Sequence, residues 1–257
     1  MFRVLMRIAA ALSLIALVAG SVAFAANGDH GARTPSLRRA VADTASTSSE
    51  RYAIHVRMTR DASPVSLHVH GQAARTTISV SLRMGDTTMP DGTRIPGARS
   101  AALIDGPFLY EHAPSSVAVF GKVRWLRLRL SDLPKSSNDL RSVHALTPAP
   151  LLRLLRAAHM KRASHGSRSF HGTIAYDSPA VRTGLANLTG GLEFRGLRIS
   201  ANVGTDGLVH RIVVTGHTAD RRTTFSLRAH LFGFGKPIHV TPPAPGTFLD
   251  PHNDPPA

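Results

Sequence analysis

In the segment Val123-Arg124-Trp125-Leu126-Arg127-Leu128-Arg129-Leu130, leucines alternate with Arg127 and Arg129. A period of two marks a half-buried strand, because successive side chains point to opposite faces of a sheet. The alternation recurs. Tyr52, Ile54, Val56 and Met58 alternate with Arg51, Ala53, His55 and Arg57, and Ile78, Val80 and Leu82 with Thr77, Ser79 and Ser81. Phe225, Leu227, Ala229 and Leu231 alternate with Ser226, Arg228 and His230. These patterns and their neighbours predict strands over 51–59, 65–70, 76–83, 101–105, 107–112 and 123–130, then 169–176, 196–204, 207–216 and 223–231. Gly71, Asp91-Gly92 and Pro96-Gly97 supply turns between them, and Asp105-Gly106 and Asp206-Gly207 read as tight hairpins.

Elsewhere the period changes. Leu37 to Ala45 reads as a short helix, and Thr147-Pro148-Ala149-Pro150 opens another with a cap residue and a first-turn proline. Over 148–160, Leu151, Leu154, Leu155 and Ala158 form one stripe, with Arg153 and Arg156 off it. Ser178-Pro179 starts a further short helix that runs to about Leu188. An antiparallel sheet that is apolar on one face must have that face covered. The expected class is therefore α+β: a curved antiparallel sheet, an incomplete barrel, with helices over its concave apolar face. No repeat or linker divides it, so a single domain is expected over 46–241, after a flexible segment and short helix at 27–45. From Pro242 the chain is proline-rich and reads as an unpacked tail, 242–257.

The first 26 residues read as an export signal: Arg3 and Arg7, an apolar run from Ile8 to Val18, and the small-x-small site Ala23-Phe24-Ala25. The chain has no cysteine, which excludes disulfides, thiolate metal sites, cysteine nucleophiles and an acylated lipoprotein cysteine. The expected location is the periplasm, the cell envelope or the medium, without a lipid anchor. Net charge is +15, nearly all of it arginine, which attracts polyanions or simply solvates a sheet face. Arg124, Arg127 and Arg129 cluster at one strand and are the candidate contact with an anionic membrane surface or polymer.

Catalytic chemistry finds little support. His68 and His70 share one side of a strand, but no third ligand sits at a suitable spacing, so they belong to the solvent face and no metal site is expected. There is no Gly-x-Ser-x-Gly elbow, and Ser164-His165-Gly166-Ser167 reads as a loop. Asp91, Asp105 and Asp206 each precede a glycine and form turns, and Glu111 and Glu193 make no obvious catalytic pair with each other in the sequence. Glycines 184, 190, 191 and 196 lack the Lys-Ser/Thr of a phosphate loop. One Trp and three Tyr are too few to stack single-stranded nucleic acid. No enzyme, cofactor or nucleic-acid partner is expected.

The order of motifs carries a resemblance. An Arg51-Tyr52 strand precedes the Leu103-Ile104-Asp105-Gly106-Pro107-Phe108-Leu109-Tyr110 hairpin and the Trp125-Leu126-Arg127-Leu128 strand. The Leu151-Leu152-Arg153-Leu154-Leu155 helix and a Gly172-Thr173-x-x-Tyr176 strand follow. The chain closes with Asp206-Gly207-Leu208-Val209-x-Arg211 and Phe232-x-Phe234-Gly235-Lys236-Pro237-x-x-Val240-x-x-Pro243. Over about residues 45–250 this resembles actinobacterial envelope proteins of the LppX/LprG type, within the LolA/LolB-like lipoprotein-carrier superfamily. The resemblance implies a hydrophobic cavity between sheet and helices that receives acyl chains, with transport of lipid or lipoprotein and no catalysis. The missing lipobox cysteine departs from that family and puts anchoring in doubt.

The expectation is thus a monomeric carrier of a lipid-like ligand. Its cavity would be lined by Ile54, Val56, Ile78, Val80, Leu82, Leu126, Leu128, Leu151, Leu154, Leu155, Phe225 and Leu227. The competing expectation is a filled-core envelope module that binds a protein or anionic polymer through its basic face. Both place the same leucines inside.

Overall fold

A computed structural model of the chain describes residues 36–60, 63–88, 91–112, 125–133, 143–185 and 194–250. In chain order the elements begin with α1 (Leu37–Ala45), β1 (Ser49–Arg60), β2 (Ser63–Ala74), β3 (Thr77–Met84), β4 (Thr87–Thr88) and β5 (Arg94–Ile95). β6 (Arg99–Asp105), β7 (Phe108–His112), β8 (Trp125–Arg129), α2 (Ala149–Ala157), β9 (His159–Arg162) and β10 (Ser169–Thr173) follow. The chain ends with α3 (Pro179–Gly184), β11 (Phe194–Val203), β12 (Val209–Thr218), β13 (Thr223–Phe232) and β14 (Phe248–Leu249). Twelve strands form one open, curved sheet in the order β14-β8-β7-β6-β3-β2-β1-β13-β12-β11-β10-β9, while β4 and β5 pair separately. Every pairing in the large sheet is antiparallel except β14 with β8, which is parallel.

The alternation in sequence becomes two faces in the structure. Along β13, every odd position from Thr223 to Leu231 is buried, and the even positions are exposed apart from the half-buried Ser226. Tyr52, Ile54 and Val56 of β1 share that buried side, which we call the core face. The β1–β13 register sets Ile54 opposite Ala229 and Val56 opposite Leu227, so the apolar rows of the two strands coincide. A slip of one residue would expose them all, which is why the register is so firmly specified. Gly71 of β2 sits opposite Tyr52, and a Cβ there would lie 2.2 Å from the Tyr52 ring. The strand leaves that position bare to let the tyrosine lie across it.

Gly71, expected at a turn, instead lies inside β2, which runs on to Ala74, because its bare Cα makes room for the Tyr52 ring; turn and cap chemistry elsewhere fits the sequence reading. The β6–β7 hairpin sets Asp105 opposite Phe108 across Gly106-Pro107, with Gly106 at φ 53°. Glycine at the first central position and proline at the second suit a type II′ turn. Helix α1 has the predicted bounds, and its Ser36 Oγ accepts from the Arg39 N–H at 3.3 Å. Thr44, buried near its C-terminus, donates to the Ala40 carbonyl at 2.6 Å and accepts from the Val209 N–H at 2.8 Å, tying α1 to the first residue of β12.

The structure differs from the sequence reading in several places. The stripe expected to continue as helix to 160 stops at Ala157, where Ala158 turns extended, and His159–Arg162 becomes strand β9 against β10. Helix α3 ends at Gly184, short of Leu188, and the positions after Leu185 lie outside the described residues. Part of the expected tail is packed: β14 pairs with β8, and Asp250 is buried. A proline-rich composition hides this, because two residues of strand carry no periodicity.

Candidate functional site

Nine of the twelve predicted lining residues, Ile54, Val56, Ile78, Val80, Leu151, Leu154, Leu155, Phe225 and Leu227, belong to a single buried cluster. Leu154 and Leu227 are fully buried, and the least buried of the nine, Ile78, is 8% exposed. Leu82 and Leu128 are half-buried and pack against the cluster. Leu126 is half-buried and outside it. Residues of the α2 stripe and of the core face of the sheet are members of this one cluster, and Leu152 of α2, off the predicted stripe, belongs to it too.

Where this interior reaches solvent, the C-terminal end of α1, the start of β1, the end of β2 and helix α2 border an open cleft of about 440 Å³. Its apolar lining includes Ala73, Ala149 and Leu152, and three arginines, Arg75, Arg153 and Arg156, share it with Glu50. Glu50 stands on the core-face side of β1, two residues before Tyr52. Burial pushes its carboxyl up to about 7. Its Oε2 and the Tyr52 hydroxyl are buried without a hydrogen-bond partner among the described residues. Burial, and then the charge of Glu50, push the Tyr52 phenol well above its usual range. A carboxylate at the apolar parity of β1 was the one signal in the sequence for this cleft. The reading of strands by their apolar members passed over it.

A second open cleft, of about 600 Å³, lies along β2, β3 and β6, where His68, His70, Arg83, Arg99 and His112 line it together with Leu82. Leu82 is the one predicted lining residue that borders either of these two clefts. His68 and His70 are exposed on the outer face, as their alternation with Leu67 and Val69 predicts.

The arginine cluster is corrected by the structure. Arg127 faces outward from β8, but the returning C-terminal segment takes it up. Its Nη2 and Nε donate to Asp250 Oδ2 at 2.5 and 3.2 Å, and its guanidinium lies over the rings of Phe108 and Phe248. Its side chain is 22% exposed and that of Asp250 5%, so the guanidinium is largely taken up within the protein by this pair. The hydrogen bond to Asp250 raises the Arg127 pKa further. Arg129 is exposed at the end of β8, and Arg124 lies outside the described residues.

Among solved structures the chain is similar to LprF from Mycobacterium bovis, with 13% identity and a TM-score of 0.41 over 82% of this chain and 99% of that one. It is also similar to a DUF1329 family protein from Desulfovibrio piger, with 6% identity and a TM-score of 0.28 over 80% of this chain and 92% of that one. No family model matches the chain, and no curated protein does.

Proposed function

We propose that this protein is a non-catalytic binding protein for a lipid-like amphiphile of the cell envelope. The acyl chain lies between the core face and the helices that cover it, against the α2 stripe and the facing Ile54, Val56, Ile78, Val80, Phe225 and Leu227. The observation that supports this reading is the cleft at the α1–α2–β1 seam. There Leu152, a buried member of the apolar cluster, borders the cleft beside three arginines. An amphiphile needs both: an apolar interior for its tail and cations for an anionic head. Each buried methylene contributes roughly 0.8 kcal/mol, so a long chain supplies on the order of ten kcal/mol before the cost of parting helix from sheet. Burial, which raises the Glu50 carboxyl to about 7, lessens the opposing charge there.

One observation favours a second reading, a filled-core interaction module: nine of the twelve candidates are already packed in one cluster. Native mass spectrometry of the protein from its own host separates the two. The carrier retains a lipid-mass adduct, which Arg153→Ser/Arg156→Ser weakens, and folded Leu154→Trp protein loses it. An adduct-free protein that Leu154→Trp unfolds would overturn the carrier reading and favour the module.

A further inference from the structure

The outer face of the central strands carries cations in register. Reading across the pairings, Arg228 of β13 stands opposite His55 of β1, His55 opposite His68 of β2, His68 opposite Arg83 of β3, and Arg83 opposite Arg99 of β6. The His55 and His68 rings stack with centroids 4.2 Å apart. With strands about 4.8 Å apart, this row spans roughly 19 Å. The next row outward runs Arg211, His230, Ala53, His70, Ser81, Ala101 and His112. Neither row contains a carboxylate. Apolar side chains flank the array at both ends: Phe232 is 46% exposed at the end of β13, and Trp125 packs on His112 with ring centroids 5.1 Å apart.

We infer that this arginine–histidine face docks the protein onto an anionic phospholipid bilayer, more tightly as the pH falls. A broad single-sign array suits a plane of phosphate head groups. The exposed Phe232 and the half-buried Trp125 favour a bilayer over a soluble polyanion, because aromatic rings at the rim of a basic face partition into the head-group region. The histidines supply the pH dependence. His55 is held below its usual pKa by burial and by the positive neighbours His68, Arg228 and Arg57. A negative surface opposes the effect of those neighbours, so docking favours the protonated rings and protonation favours docking. The charged and titratable groups around the stack are Arg57 of β1, Arg228 of β13, His70 of β2, Arg83 of β3 and Arg99 of β6. Asp86, whose charge Arg83 feels, is engaged by Arg94 and the Gly97 N–H. This docking face is separate from the seam cleft and does not depend on lipid carriage.

The test is co-sedimentation of the full chain with vesicles of phosphatidylglycerol and phosphatidylcholine, and with phosphatidylcholine alone, at pH 5.5 and pH 8. Binding is expected on the anionic vesicles, stronger at pH 5.5, and falling with added salt over the Debye length. Arg83→Ser/Arg99→Ser should weaken it by about tenfold or more; His55→Gln/His68→Gln should lessen the pH dependence at little cost at pH 8, and Gln at all five histidines of the two rows (His55, His68, His70, His112 and His230) should abolish it. Arg38→Ser/Arg39→Ser, equal in charge lost but placed on α1, should change it little, with circular dichroism confirming the fold of each variant. Equal binding to neutral vesicles, no binding at either pH, or equal losses from the α1 and outer-face variants would overturn the inference. Binding abolished by free polyphosphate while anionic vesicles fail to sediment the protein would assign the face to a soluble polyanion and overturn it too.

Discussion

The outer face of the sheet behaves differently at its centre and at its β7–β8 edge. At the centre, the outward side chains of β1, β2 and β13 include His68, His70, Arg228 and His230, all exposed. At the edge, outward side chains with the same parity are covered: Leu103 is 4% exposed and Tyr110 6%, with Arg127 held between two phenylalanine rings and Asp250. Tyr110 meets Phe248 edge-on at 5.8 Å. The difference comes from one remote segment. Residues 248–250 return to β8 and turn a solvated face into a second, smaller interior. Alternation assigns a side chain to a face; it does not say whether that face meets water.

The contrast can be broken first where it is largest, between the two sides of one strand. Leu227→Ala removes a fully buried side chain and should cost about 3 kcal/mol, whereas its neighbour Arg228→Ser on the outer face should change stability by less than about 0.5 kcal/mol. Urea unfolding of the two variants measures both. Equal losses would mean that the outer face is covered in solution.

The edge is tested by Asp250→Ala, which leaves Arg127 largely buried and unpaired. A loss of about 2–3 kcal/mol is expected, and Arg127→Leu in the same chain should restore much of it. An Asp250→Ala variant as stable as the parent would mean that the C-terminal segment does not hold its place on β8.

Glu50 sharpens the comparison from the core side. Its folded pKa, about 7, lies above the usual carboxylate value of 4.5, so between those pH values the folded chain binds more protons than the unfolded one. Stability therefore falls as pH rises through that window and levels off above it, by an amount on the order of 3 kcal/mol. Glu50→Gln should flatten the slope and be the more stable protein at pH 8, as read from unfolding midpoints across pH 4–8. A slope unchanged in the variant would place its origin in another group.

The smallest effect is expected at Thr44. Thr44→Val keeps the shape but leaves the buried Val209 N–H without its acceptor, for about 1–2 kcal/mol. Hydrogen exchange at Val209 should quicken selectively, and uniform quickening along β12 would show that α1 instead supports the whole strand.

Much of the fold was legible in the residues themselves. The parity of Tyr52, Ile54 and Val56, of Phe225 and Leu227, and the spacing of Leu151, Leu154 and Leu155 determined which side chains share a face, since local geometry alone fixes that. The Asp105-Gly106-Pro107 hairpin and the Ser36-capped α1 were legible for the same reason: their conformations are set within four residues. Other features depended on contacts between positions far apart in the chain. Glu50 borders the seam cleft because the end of α1, the start of β1 and helix α2 line it together. His55 stacks on His68 because a hairpin brings two strands into register. Arg127 meets Asp250 across 123 positions. A local pattern can show which way a side chain points, but its partner, and with it the burial and charge state of each polar group, was decided only when the tertiary structure brought distant segments together.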